Sequence, residues 1–274
     1  MVFSETGPWS PLSEEQVNRY RRDGFLLLPG VFSEDEVKVL VAEAEILYST
    51  DGPSRTFEAD GRTVRAVHGF HRDNVVFHSL SRDPRTLGTA RRIVGDDVYI
   101  HQSKINAKRA LDGAPWPWHQ DFVFWQREDG MVEPKAVNIA LFLDEATEFN
   151  GPLLLVPGSH RDGVIPPMRP APKKGRETWE SHLASDLEYT VGRSELARCS
   201  EERGIVSATG GKGTVLIFDS CIVHGSGANM SPEDRRMLLF TYNSVRNVPT
   251  TVTNRPDFLA SRDTAPLTLE EEKG

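Results

Sequence analysis

The sequence predicts a mainly β chain with flanking helices, closed as an antiparallel sandwich or barrel. From Val98 onward, short segments rich in β-branched and aromatic residues follow one another: VYIHQSKINAK, HQDFVFW, AVNIALFLD, GPLLLVPGSH, GIVSATG, GTVLIFDSCIVHG and RMLLFTYNSV. Gly, Pro, Asn and Asp punctuate them, as in antiparallel all-β domains. Ahead of them the chain carries helical periods and caps. No dinucleotide fingerprint, phosphate loop or internal repeat points to a parallel α/β or solenoid architecture.

In chain order, Ser13-x-x-Gln16 forms a capping box for a short helix that stops near Gly24. FLLLPG is a strand ended by Pro29 and Gly30. Ser33-x-x-Glu36 opens a second helix whose Val37, Leu40, Val41, Ala44 and Leu47 share one face at the i, i+3, i+4 spacing. Asp83 before Pro84 starts a third helix, PRTLGTARRIVG, closing at Gly95. Residues 161–190 are proline-rich and aperiodic, which reads as a flap over a site. A surface insertion without a role is the plainer alternative. Residues 265–274 read as a frayed tail. No linker divides the chain, so 1–274 is expected to be one domain.

Composition narrows the function. With 38% hydrophobic and 26% charged residues, the chain resembles an ordinary water-soluble protein. A net charge of -8 disfavours general nucleic-acid binding, which wants a basic face. No apolar run approaches the ~20 residues of a membrane span, and no signal peptide is evident. Cys199 and Cys221 form no framework, so a cytoplasmic location is expected, with Cys221 a small core residue. A small-molecule substrate follows more readily than a nucleic-acid or membrane partner, for a monomer or homodimer.

The chemistry centres on WPWHQDFVFW, residues 116–125. On a strand, His119 and Asp121 at i and i+2 would share a face and offer two metal ligands. Taken alone, the pair reads equally well as a hydrogen-bonded His and Asp in a polar core. His224, at the end of the apolar run VLIFDSCIVH, supplies a third ligand. Two His and one carboxylate are the facial set of non-haem Fe(II) oxygenases, which leaves positions for a chelating cosubstrate and O2. Catalytic zinc usually leaves one position. Arg235 then gains meaning, since a ketoacid that chelates iron at one end has a free carboxylate at the other. A guanidinium suits that carboxylate, and Ser226 can add a hydroxyl. Strand alternation turns the neighbouring Arg236 to the opposite face.

These segments resemble the phytanoyl-CoA dioxygenase family of Fe(II)/2-oxoglutarate oxygenases. The likeness runs from about Gln16 to about Asp263 and is carried by GRTVRAVHGFH, YIHQSKINAKRA, WHQDFVFWQREDG, NGPLLLVPGSH, HGSGANMSPEDR and RPDFLASRDTAPL. Within the family the chain is similar to ectoine hydroxylase and to bacterial hydroxylases of free amino acids, such as the leucine 5-hydroxylase of griselimycin biosynthesis. The resemblance implies a double-stranded β-helix, a cupin-like jelly roll. It implies His119, Asp121 and His224 as iron ligands. Arg235, Ser226 and Trp116 would take 2-oxoglutarate.

Gln102, Asn106, Asn138, Phe122 and Trp125 would line the substrate pocket, with Arg65, Arg255 or Arg262 gripping a carboxylate. His68, His71, His101 and His160 are expected to be structural or to support the site from behind its ligands, rather than to bind the metal. An aspartate in HxD implies hydroxylation, because halogenating relatives carry a small residue there. Ectoine hydroxylase reads HSDFETW where this chain reads HQDFVFW, which implies a more apolar substrate. The implied reaction converts 2-oxoglutarate, with O2, to succinate and CO2 and hydroxylates a free aliphatic, leucine-like L-amino acid. Ectoine 5-hydroxylation, or a metal-binding sensor without turnover, are the alternatives.

Overall fold

The computed structural model describes residues 10–168, 187–251 and 255–270. The chain opens with α1 (Glu14–Asp23), β1 (Phe25–Leu28) and α2 (Glu34–Ser49). Both helices start on the expected capping boxes. Ser13 Oγ accepts the Gln16 N–H at 3.2 Å, while Gln16 Oε1 accepts the Ser13 N–H at 2.8 Å. Ser33 and Glu36 repeat the exchange at 3.3 and 2.8 Å. Each box satisfies two backbone groups that a bare helix end would leave orphaned. α1 stops at Gly24, whose φ is +80° and where a Cβ would meet His160 Nδ1 at 2.4 Å. Glycine alone suits both demands.

Next come β2 (Arg55–Phe57), β3 (Val64–His68), α3 (Val75–Leu80) and α4 (Thr89–Val94). β2, β3 and α3 are short and carry no clean period in the sequence. The expected helix over 84–95 is two pieces: a wide turn at Pro84–Gly88, then α4. The remaining strands are β4 (Val98–Lys108), β5 (Trp116–His119), β6 (Ala136–Phe142), β7 (Leu153–Leu155), β8 (Val206–Ala208), β9 (Val215–Asp219), β10 (His224–Ser226) and β11 (Arg235–Ser244). α5 (Asp121–Phe124) and α6 (Arg193–Glu201) interrupt them.

Two antiparallel sheets result. The larger runs β1-β9-β6-β11-β4-β3-β2 and the smaller β5-β10-β7-β8. Period-two alternation splits the large sheet's side chains between two cores. Ile139, Ile217, Leu238 and Phe240 point outward, onto Leu40, Leu80 and Leu87 of the helical layer. Ala140, Leu216, Phe218, Met237 and Leu239 point inward, toward Leu155 and Ala208 of the small sheet. Each such apolar side chain contributes roughly 1.5–3 kcal/mol by leaving water. The fold is the jelly-roll double-stranded β-helix.

Three expectations change. GTVLIFDSCIVHG is two strands in different sheets, because the chain turns between Asp219 and His224 and crosses from one layer to the other. HQDFVFW is not a strand: β5 ends at His119 and α5 begins at Asp121. The tail is docked at least to Glu270. Leu267 donates its N–H to Val98 O at 2.9 Å, and Glu270 accepts from Ser79.

Of the expected flap, 169–186 lie outside the described residues. Its two described ends pair, with the Met168 N–H on Thr190 O at 2.8 Å. Cys199 and Cys221 are buried and free. Among the described residues no helix is long and apolar enough to cross a membrane.

Candidate active site

The cavity lies between the sheets, and strand alternation selects what faces it. Inward positions on β4 are Gln102, Lys104, Asn106 and Lys108. Those on β11 are Arg235, Met237, Leu239 and Thr241. Register sets them opposite one another: Arg235 with Lys108, Met237 with Asn106, Leu239 with Lys104, Thr241 with Gln102. From the small sheet, β10 pairs with β5 so that His224 faces His119.

His119, Asp121 and His224 meet with one ligand atom from each within 4.8 Å of the others. The His119 and His224 ring centroids are 4.2 Å apart. His119 Nδ1–H donates to Pro117 O at 2.7 Å, and His224 Nδ1–H to Ile222 O at 3.0 Å. Those backbone bonds fix the tautomer and leave each Nε2 lone pair for a metal. The two Nε2 atoms lie 3.5 and 3.8 Å from the Asp121 carboxylate.

Burial opposes ionisation of Asp121. Lys104, 3.9 Å away, and the two histidines outweigh it and hold the carboxyl well below the usual range. Asn138 Nδ2 donates to Asp121 Oδ2 at 2.9 Å and so orients it. Burial, with His119 beside it, pushes His224 down to about 3, so the ring is a neutral ligand. A deprotonated, converging 2-His-1-carboxylate set fits Fe(II).

Aromatic rings enclose this set. Phe124 is 6.0 Å from His119 and Phe218 is 5.2 Å from His224, centroid to centroid. Tyr189, from the end of the flap segment, packs on Phe124 at 5.1 Å. Trp118 turns away, toward Val156 and Val223.

One end of the cavity holds Arg235, Ser226 and Trp116. Arg235 is 3% exposed, and burial pulls its pKa down to about 10, so it stays charged. Its Nη2 donates to Gly151 O at 2.6 Å. Among the described residues neither Arg235 Nε nor Ser226 Oγ has a partner. Buried polar atoms in that state signal a ligand that completes them. Gly151 packs against the turn after Ser226: its φ is +71°, and a Cβ would meet Gly227 O at 2.6 Å. Arg236, by contrast, points outward and grips Asp144 at 2.7 and 2.8 Å.

The other end holds Gln102, Trp125, His68 and Arg255, with Lys104 between them and the Asp121 carboxylate. Arg255 donates to Asp129 Oδ2 at 2.8 Å, and His101 Nε2 bonds the same oxygen at 3.0 Å. Asn106 lines the cavity between the two ends.

Some expected site residues do not line the cavity. Phe122 packs with Val123 and Met131 in a buried cluster. Because α5 starts at Asp121, positions i, i+3 and i+4 share a face, so Phe124 and Trp125 accompany the carboxylate and Phe122 does not. Asn138 stands behind Asp121 as its hydrogen-bond partner. Arg65 pairs with Glu58 at 2.9 Å and lies 3.7 Å over the Trp116 ring, so it braces that ring. Arg262 is exposed.

His71 bonds Ser103 and His160 bonds Arg21 O, structural roles as expected. His68 faces the cavity instead. Lys104 shares the phase of Gln102 and Asn106 on β4, a signal available in the sequence. Asp129 carries no such signal.

The phytanoyl-CoA dioxygenase family model matches residues 20–237. The chain belongs to the phytanoyl-CoA dioxygenase family. It is 41% identical over 258 residues to the L-proline trans-4-hydroxylase of Streptomyces griseoviridis, covering 94% of this chain and 96% of that one. It is 35% identical to the ectoine dioxygenase of Stutzerimonas stutzeri, over 93% of this chain and 85% of that one. The crystal structure of EctD from S. alaskensis with 2-oxoglutarate and 5-hydroxyectoine superposes with a TM-score of 0.79 at 33% identity, covering 96% and 89% of the two chains. A second EctD structure contains bound Fe. As a member of this family, the protein is a 2-oxoglutarate-dependent dioxygenase that uses Fe(II), 2-oxoglutarate and O2.

Proposed function

We propose that this dioxygenase hydroxylates an unactivated C–H of a free aliphatic L-amino acid the size of leucine or proline. The carrying observation is a cavity with two cationic poles and an iron site between them. By register, Arg235 stands opposite Lys108 while Gln102 lies six residues along β4, roughly 20 Å of strand. Two carboxylates can therefore be held apart: that of the ketoacid by Arg235, Ser226 and Trp116, and that of the amino acid by Arg255 and Lys104. Between them Leu187, Leu239 and Phe124 present apolar surface, which suits an aliphatic side chain.

Fe(II), held by His119, Asp121 and His224, supplies activation of O2 coupled to decarboxylation of 2-oxoglutarate. The chain's own residues do the rest. Arg235 and Ser226 fix the cosubstrate's distal end through the atoms that otherwise lack partners. Asp129 and His101 hold Arg255 in place so that one C–H is presented in a fixed position. Phe124, Phe218 and Tyr189 keep water from the metal ligands.

A second reading, ectoine-type hydroxylation, is favoured by the identity to ectoine dioxygenases. Against it stands apolar Phe124 on the cavity wall. The test is a panel of the twenty amino acids plus ectoine, supplied with Fe(II) and 2-oxoglutarate and read by mass spectrometry. A gain of one oxygen on an aliphatic amino acid, with matching succinate, is expected. Oxygen gained on ectoine alone would transfer the assignment to the second reading.

A further inference from the structure

We propose that His68 reads the amino group of the substrate, its imidazole accepting a hydrogen bond from the substrate's N–H. This rests on the amino-acid reading above. His68 ends β3, is 2% exposed and lines the cavity. Among the described residues neither ring nitrogen has a hydrogen-bond partner. The other cavity or metal-site histidines spend one nitrogen on a backbone carbonyl; this ring spends none. An enclosed imidazole without partners costs stability, and a ligand that supplies them removes the cost.

The cavity's charge inventory points the same way. Among its described lining residues the sole carboxylate is Asp121, which serves the metal. A zwitterion's ammonium must therefore meet a neutral acceptor. Burial, reinforced by Lys104 and Arg255, pushes His68 down to about 3, so its ring keeps a lone pair at neutral pH. Asn106 also has a free Oδ1, but it sits opposite Met237, one step from the Arg235 end. His68 instead faces Lys104 across the β3–β4 pair. An α-carboxylate and an α-amino group are one carbon apart, so their receptors must be neighbours. Lys104 with Arg255 for the acid and His68 for the amine meet that condition.

The experiment compares wild type with His68→Phe and His68→Gln, using L-proline and L-leucine as substrates. Cyclopentanecarboxylate and 4-methylpentanoate serve as des-amino competitors. In His68→Phe the amino-acid KM should rise about 10- to 100-fold, the loss of one charge-assisted hydrogen bond. The 2-oxoglutarate KM and inhibition by the des-amino acids should stay unchanged, and His68→Gln should recover part of the loss. If His68→Phe does not fold, His68→Leu takes its place. An unchanged amino-acid KM, or an equal loss for the des-amino competitors, overturns the His68 assignment alone. Wild-type enzyme that turns over neither amino acid overturns the substrate reading along with it.

Discussion

The two ends of the cavity are built differently. The Arg235 end stands on paired strands: β11 opposite β4, with Ser226 and Trp116 from the paired β10 and β5. The Arg255 end draws on the last residue of β3, on Asp129 after α5, and on the C-terminal segment, where Gln102 Nε2 donates to Leu259 O at 3.0 Å. Regular strands fix side chains by alternation and register, so a shared cosubstrate gains a rigid seat. Turns and terminal segments accept substitution without disturbing a ladder, so a variable substrate is better read from there. On the proposed assignment, the cosubstrate is seated by paired strands and the substrate is chosen largely by what is attached to them.

The largest expected effect removes what both ends serve. Asp121→Ala should abolish succinate formation and cut iron bound per chain, measured by elemental analysis, while far-UV circular dichroism stays native. Retained iron with full turnover would place the metal elsewhere. Arg235→Ala comes next and tests whether the ends are separable. Truncating one partner of a buried charge pair costs about 2–5 kcal/mol, so the 2-oxoglutarate KM should rise by roughly two orders of magnitude. The amino-acid KM should not follow. Equal movement of both constants would mean the cavity acts as one unit.

Asp129→Asn probes the opposite end and should act more gently. It removes the charge that holds Arg255 and His101 but keeps a polar side chain of the same shape. An amino-acid KM about tenfold higher is expected, in line with loss of one charge-assisted bond. The 2-oxoglutarate KM, taken from the same titrations, should be untouched. A rise confined to 2-oxoglutarate would reverse the assignment of the two ends.

The same contrast decides what was legible in the sequence. β4 and β11 are long, so alternation along β11 is enough to tell Arg235 from its outward neighbour Arg236; Gln102 and Asn106 are named from the family resemblance, and β4 carries them in phase. His119 and Asp121 were paired by a strand rule that the chain does not obey: the bond between β5 and α5 falls at Gln120. They converge anyway, because the first residue of α5 turns back toward the end of β5. That same break moved Phe122 off the cavity and put Phe124 on it. His68 and Asp129 stayed hidden because β3 has no alternating pattern and Asp129 sits in a turn, so long-range packing alone decides where they point. Arg65 is the converse case, a charged residue in a strand whose partner, Glu58, lies seven residues away and whose ring contact, Trp116, lies fifty-one away.

The smallest effect on turnover is expected from the residue next to the most sensitive one. Arg236 follows Arg235 on β11, and alternation sends it to the outer face, where it forks onto Asp144 and reaches Glu45. Hydrogen bonding to Asp144, with the charges of Asp144 and Glu45, outweighs the loss of hydration that opposes it and holds its pKa well above that of free arginine. Arg236→Ala leaves Asp144 half-paired, so stability should fall by about 1–3 kcal/mol, read as a lower Tm. No atom of Arg236 lines the cavity, and the KM for 2-oxoglutarate should stay within about twofold of wild type, the usual margin for independent sites. If instead Arg236→Ala weakened 2-oxoglutarate as much as Arg235→Ala, the two arginines could not be on opposite faces of β11. The register that seats the cosubstrate would then be shifted by one residue.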